Sequence, residues 1–229
     1  LALAAGAALA SAECADIEFD GNRYTVCRAD LEANEARLFL YDSTGAPYGD
    51  FTTLPGEIAL AMNGGMYHED RRPVGHYIED GVELMGVVSQ AGPGNFGLLP
   101  NGVLCLSGQR AEVIETLRYV EKAPACEHAT QSGPMLVIDG ALHPKFLEDS
   151  TSRKRRNGVG TLDGGRTLVL AITGNAVTFH EFARLFRDFL GVENALFIDG
   201  SISRLYDRAA GRNDLGPAMG PILAITPRG

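Results

Sequence analysis

No stretch of this sequence beyond Ser11 stays apolar for the roughly eighteen residues that a membrane span requires. There is no G-x-S-x-G elbow, no H-E-x-x-H pair and no Walker loop, so elbow-serine hydrolases, zinc proteases and P-loop nucleotide enzymes find no support. The five histidines, His68, His76, His128, His143 and His180, show no metal-ligand spacing. Tryptophan and long internal repeats are also missing. None of the cysteines forms a C-x-x-C pair, which removes zinc ribbons and thioredoxin-like redox motifs. Basic residues are outnumbered, giving a net charge of -9 and a pI near 5.0; a field of that sign repels phosphate backbones, so no nucleic acid partner is expected.

What is present is enough to fold. Hydrophobic residues make up 45% of 229, sufficient for a sizeable core, and no Pro- or Ser-rich linker divides the chain. The first segment, Leu1 to Ala10, is made of small apolar residues and runs into Ala10-Ser11-Ala12, which satisfies the A-x-A cleavage rule. Residues 1–12 are therefore read as a partial signal peptide and 13–229 as one domain of a periplasmic or secreted protein, without a membrane span in its mature form. An even number of cysteines agrees with an oxidising compartment. Cys14 and Cys27 flank two alternating runs joined by Asp20-Gly21-Asn22, and a hairpin there would bring the sulfurs together. Disulfides Cys14–Cys27 and Cys105–Cys126 are expected.

Turn signals recur between apolar runs at Asp80-Gly81, Asn101-Gly102, Asp139-Gly140 and Asp163-Gly164-Gly165; each reads as a hairpin. One helix is evident. Phe179, Phe182, Ala183, Leu185, Phe186, Phe189 and Leu190 share a face, Thr178 and Glu181 can form a capping box, and Gly191 can end the helix. With strand Thr167–Ile172 before it and Ala195–Ile198 after it, the order reads as a strand–helix–strand unit with a parallel pair. A second helix is expected within Glu112–Glu121. The fold class is α+β, with a mixed, largely antiparallel sheet, several hairpins and one strand–helix–strand unit.

Three stretches couple an apolar strand to a polar glycine turn: Ile58–Met62 into Asn63-Gly64-Gly65-Met66-Tyr67, Leu196–Ile198 into Asp199-Gly200-Ser201-Ile202-Ser203, and Gln131-Ser132-Gly133-Pro134 into Met135–Ile138. Glycine allows close approach of a ligand or another chain, and polar groups at strand ends often face a crevice. The basic run Arg153-Lys154-Arg155-Arg156 leads into Asn157-Gly158-Val159-Gly160, and Arg155 or Arg156 could turn inward to hold an anion.

These motifs occur in a fixed order: Asn63-Gly-Gly-Met-Tyr67 with Pro73-Val-Gly75, Gly94-Asn95-Phe96, Pro100-Asn-Gly-Val103, Ala129-Thr-Gln-Ser-Gly-Pro-Met135, Arg156-Asn-Gly-Val-Gly160 and Asp199-Gly-Ser-Ile-Ser203. As an ordered set from about Ile17 to Ile225, the sequence resembles the phosphodiester glycosidase family and looks closest to its bacterial exported branch. That resemblance implies hydrolysis of a sugar-1-phosphodiester at the bond between the anomeric carbon and oxygen, giving a free sugar and a phosphomonoester. It points to Asp199 and Arg156 as the catalytic pair. Asn63, Gly64, Gly65, Tyr67, Gln131, Ser132, Gly133, Asn157, Gly200, Ser201 and Ser203 are the expected substrate contacts, with Tyr67 either stacked on the sugar or part of the core. No cofactor is required, although Asp199 could instead hold a divalent cation. The competing readings are a module that binds a glycan or cell-envelope polymer without cleaving it, and a serine hydrolase using Ser132 or Ser201.

Overall fold

The structure, a computed structural model, describes residues 12–228. All of the expected leader except Ala12 lies outside the described residues; Ala12 is buried in the core. In chain order the strands are β1 (Glu13–Phe19), β2 (Asn22–Asp30), β3 (Asn34–Phe39), β4 (Leu60–Asn63), β5 (Tyr77–Glu79), β6 (Val82–Met85), β7 (Gly102–Ser107) and β8 (Arg110–Glu115). Helix α1 (Thr116–Lys122) precedes β9 (His128–Ser132), β10 (Met135–Ile138), β11 (Ala141–Leu142), β12 (Asn157–Leu162) and β13 (Thr167–Thr173). Helix α2 (Phe179–Arg184) leads to β14 (Ala195–Asp199), β15 (Leu205–Asp207), β16 (Arg212–Asn213) and β17 (Ile222–Pro227).

The strands form three sheets. One has the order β1-β2-β13-β12-β14-β10-β11, the second β16-β15-β4-β17-β3, and the third β6-β5-β9-β7-β8. Hydrogen-bonded neighbours run antiparallel. Because β12 pairs antiparallel with both β13 and β14, those two strands are parallel to each other one place apart, and α2 crosses over between them. The strand–helix–strand unit is thus present, with β12 inserted between its parallel strands.

The hairpin turns follow from local chemistry. Asp20, Asp80, Asp139 and Asp163 each have positive φ ahead of a glycine and turn the chain between β1 and β2, β5 and β6, β10 and β11, and β12 and β13. Asn101-Gly102 does not turn. Gly102 opens β7, and the buried Asn101 side chain donates to Phe96 O at 3.0 Å and accepts from Thr116 Oγ1 at 2.7 Å. The β7–β8 hairpin turns instead at Gly108, φ 57°. The second helix also begins later than expected. Residues 112–115 belong to β8, where Ala111 and Val113 alternate inward, and Glu115 caps α1 by accepting from Arg118 N at 3.0 Å.

At α2 the capping box forms: Thr178 Oγ1 accepts from Glu181 N at 3.1 Å and Glu181 Oε2 from Thr178 N at 2.8 Å. The helix widens into a π turn over Leu185–Phe189 before Gly191 reverses it. That widening leaves Phe182 and Phe186 buried but turns Phe189 outward, 48% exposed and in ring contact with Phe19 at 5.5 Å. The apolar face of α2 packs on Val169, Ala171, Ala195 and Phe197, while the other side of the same sheet shares a core with residues of the second and third sheets, including Leu60, Met62 and Leu104. Both expected disulfides are present: Cys14 and Cys27 are opposite one another on β1 and β2, and Cys105 on β7 joins Cys126.

His143 makes this core sensitive to acid. It is buried, stacked on Phe146 at 4.7 Å, and its Nδ1 accepts from Lys145 N at 3.2 Å. Burial first, and the Lys145 charge second, push its pKa from 6.5 down to about 4. A depressed histidine pKa means the unfolded chain takes up the proton first, so stability is complete above pH 6.5 and is lost as pH falls toward 4. At about 1.4 kcal/mol per pH unit the loss is on the order of 3 kcal/mol. Urea unfolding across this range should show the parent losing stability relative to His143→Leu, and equal slopes would contradict it.

Candidate functional site

Three sheets meet at one set of strand ends, and buried side chains tie each pair together. Between the first and second, Asn157 Nδ2 at the start of β12 donates to Asn63 Oδ1 at the end of β4, at 2.6 Å. Between the second and third, Thr130 Oγ1 of β9 donates to Gly64 O at 2.8 Å. Between the third and first, Ser132 Oγ of β9 donates to Ile198 O of β14 at 2.7 Å. Gly64 can sit here because it has no side chain: a Cβ would stand 2.7 Å from Leu223 N and 2.9 Å from Ile222 C, both backbone atoms of β17. Gly65 likewise meets Thr130, whose Oγ1 lies 2.7 Å from where a Cβ would be.

Asp199 stands at this junction. It pairs with Asn157 across β14 and β12, where the register shifts, and its N–H donates to Asn157 Oδ1 at 3.0 Å. Its carboxylate turns back on its own loop: Oδ1 accepts from Gly200 N at 2.6 Å and Ser201 N at 2.9 Å. Burial raises the Asp199 pKa above its ordinary value, and backbone amides of the 199–203 loop offset part of that rise. Asn157 holds the rest of this loop, donating to Ile202 O at 3.1 Å and Ser203 Oγ at 3.3 Å. Asn63 is wholly buried; its Oδ1 also accepts from Arg204 N at 3.2 Å, and its Nδ2 has no protein partner. A buried donor left without a protein partner adds to the cost of burying the junction.

Tyr67 lies four residues beyond Asn63 on the same glycine turn. Its hydroxyl donates to Ala218 O at 3.1 Å, and the Arg71 guanidinium lies 5.2 Å from its ring centre. Burial pushes the Tyr67 phenol up; Arg71 opposes the rise, Asp199 adds to it and Arg204 opposes it again, so these four side chains share one electrostatic environment. Arg204 is itself buried and held by the scaffold, donating to Asp50 at 2.7 Å, Asp214 O at 2.7 Å and Pro217 O at 3.1 Å. Among the described residues no group of three or more His, Cys, Asp and Glu side chains is placed to hold a metal ion.

The remaining expected residues divide. Gln131 faces inward: its Oε1 accepts from His76 N and Val88 N, each at 3.0 Å, and its Nε2 donates to Val88 O at 2.7 Å and Thr116 Oγ1 at 3.1 Å. Its amide and the Ser132 hydroxyl are engaged in holding the scaffold. Gly133 packs against Asn101, whose Cβ is 2.5 Å from the position a Cβ would take. Of the basic run it is Arg156 that turns inward, but into the core. It is 2% exposed, its guanidinium lies 3.5 Å from the Phe179 ring centre, Nε donates to Val177 O at 3.0 Å, and Nη2 donates to Ser152 O at 3.2 Å. Burial lowers its pKa to about 10. A cation held by carbonyls and an aromatic face braces the floor, so the phosphate-contact role expected of Arg156 does not fit this geometry. Arg204, Thr130 and Arg71 were not among the expected contacts, although Thr130 lies within the Ala129–Met135 motif and Arg204 follows Ser203. A cleft of about 600 Å³ lined by Arg110, Glu112, Asp163 and Glu193 lies at the opposite end of β12 and does not include Asp199.

Residues 56–214 match the family described as phosphodiester glycosidase. The uncharacterized protein YigE of Escherichia coli (strain K12) is 31% identical over 207 residues, covering 87% of this chain and 80% of that one. The zebrafish N-acetylglucosamine-1-phosphodiester alpha-N-acetylglucosaminidase catalytic domain, auto-inhibited by its pro-peptide, superposes with a TM-score of 0.60 at 16% identity over 95% of this chain and 83% of that one. A hypothetical protein from Synechocystis gives 0.61 at 12% identity over 95% of this chain and 62% of that one. At these identities the two structures share the fold.

Asn157 is the most connected side chain of the junction, so its loss should be felt in stability. Asn157→Ala leaves Asp199 N unpaired and removes a donor from Asn63, and should lower the unfolding free energy by about 1–3 kcal/mol. Ser201→Ala, at an exposed position, should stay within about 0.5 kcal/mol. Equal urea midpoints for both variants would show that the junction does not hold the fold.

Proposed function

The chain belongs to the phosphodiester glycosidase family, and from that premise we propose that it hydrolyses a sugar-1-phosphodiester at the glycosidic C1–O bond. Water oxygen bonds to C1 while the C1–O bond breaks. The leaving phosphomonoester keeps the bridging oxygen with its electron pair, and one water proton is released. The two disulfides support action outside the cytoplasm, in the periplasm or in secreted form.

The observation that carries this reading is the Asp199 carboxylate, fixed by two backbone amides at a junction where several buried polar groups converge. Cleavage at an anomeric carbon develops oxocarbenium-like positive charge. An ionised carboxylate held in a partly dry setting stabilises that charge more than one in water, and needs no rearrangement to do so. A phosphomonoester leaves readily without full protonation, so a site with one aimed carboxylate suffices for the bond-breaking step. Tyr67, half-buried on the turn that follows Asn63, supplies an aromatic surface of the kind a sugar ring uses.

Asp199→Asn keeps the shape and leaves a carbonyl oxygen for the amides of Gly200 and Ser201. Release of reducing sugar from a panel of sugar-1-phosphodiesters should fall about a hundredfold or more, with an unchanged unfolding midpoint. Because the ionised form acts and its pKa is raised, parent activity should fall on acidification with a midpoint above the ordinary 3.8. A folded Asp199→Asn protein that turned over at the parent rate would falsify the role. A parent protein that bound glycans yet released no sugar from any of the panel would instead be a binding module.

A further inference from the structure

Among the described residues, six that are not glycine have positive φ: Asp20, Asp80, Asp139, Asp163, Ala123 and Arg71. The four aspartates precede glycines in turns between strands, where aspartate tolerates this conformation, and Ala123 ends helix α1. Arg71 belongs to neither group. It sits at φ 71° in a tight turn closed by its own N–H donating to His68 O at 2.8 Å and by His68 N donating to Arg72 O at 2.9 Å. A long side chain in the left-handed region carries a backbone cost that glycine would not. Such strain persists where the side chain has work to do.

The surroundings indicate that work. Asp70 and Arg72 pair with each other at 2.6 Å, which occupies the nearest acid with the neighbouring guanidinium. Arg71 has no ion pair with any carboxylate among the described residues. Its guanidinium lies over the Tyr67 ring, and Tyr67 is pinned through its hydroxyl to Ala218. The Tyr67–Arg71 arm therefore presents a partly exposed cation, braced by an aromatic face, on the segment that leaves Asn63, with the Tyr67 hydroxyl on Ala218 beside the Pro217 carbonyl that takes Arg204. The buried Arg156 and the committed Arg204 leave this role open.

We propose that Arg71 is the anion-binding residue of the site, taking the non-bridging phosphate oxygens of a sugar-1-phosphodiester and of the phosphomonoester released from it. This deepens the hydrolysis reading and rests on it for the identity of the substrate, whereas binding of the anion itself does not require turnover. A planar guanidinium offers two parallel N–H groups to a phosphate, which sets the substrate class as anionic at C1 and disfavours neutral glycosides.

The test is titration calorimetry of the full chain with inorganic phosphate, on the parent, Arg71→Gly and Arg118→Ala. Glycine suits a φ of 71°, so Arg71→Gly should melt at the parent temperature or above while binding phosphate about ten- to a hundredfold more weakly. Arg118→Ala, which removes an exposed arginine paired with Asp139, should bind as the parent does. In turnover, Arg71→Gly should lose more kcat/KM on a sugar-1-phosphodiester than on a neutral aryl glycoside. A parent that takes up no phosphate, an Arg71→Gly protein with parent affinity, or an Arg118→Ala protein equally weakened would each overturn the assignment. Phosphate binding that survives in an Asp199→Asn protein with parent turnover would sink the hydrolytic mechanism alone and leave Arg71 in place.

Discussion

The hydrogen bond from Asn157 to Asn63 is the constraint on which the site depends. It joins the start of β12 in one sheet to the end of β4 in another, through two side chains that are both fully buried. Each amide is then used more than once. Asn157 Oδ1 receives Asp199 N, and Asn63 Oδ1 receives Arg204 N, so the strand entering the 199–203 loop and the strand leaving it are positioned by the same pair. With Thr130 on Gly64 and Ser132 on Ile198, the third sheet is fixed to both others. The polar cluster is costly to bury and tolerable only when nearly every member is paired, which is why it specifies one arrangement of three sheets.

That arrangement sets two opposing influences on Asp199. Burial favours the neutral acid, and backbone amides favour the anion. The balance leaves a carboxylate raised above its usual pKa but still aimed by its own loop, a condition that suits a group acting by charge. Around it the cations are partitioned by burial. Arg156 and Arg204 are absorbed into carbonyls, an aspartate and aromatic faces, and so serve the scaffold. Arg71, held on a strained turn at the surface, keeps its charge available.

The matched family segment, 56–214, does not complete its own sheets. β13 pairs along its whole length with β2, and β2 carries β1 through the Cys14–Cys27 disulfide. β4 lies between β15 and β17, and Asn63 is opposite Ile222. The segments flanking the matched region thus cover an edge strand on one side and, on the other, supply the backbone against which Gly64 is packed.

The local features were legible in the sequence because their causes are local. An aspartate before a glycine tolerates positive φ wherever it stands, Thr178 and Glu181 cap each other three residues apart, and the hairpin at Asp20-Gly21 brings Cys14 to Cys27 without help from the rest of the chain. The order of polar glycine turns identified the family and placed Asn63, Asn157 and Asp199 among the candidates. Asn101-Gly102 misled because the Asn101 side chain was taken by Phe96 and Thr116, a partnership invisible at the dipeptide. Roles for arginine and glutamine could not be read at all from their positions. Arg156 and Arg71 are chemically the same group, and only packing decided that Phe179 and two carbonyls would cover one while the other stayed partly exposed on Tyr67. Gln131 was lost to Val88, His76 and Thr116 in the same way. Residue type and spacing determine which groups can bind a ligand; which of them remain unpaired is decided by the tertiary contacts that consume the others.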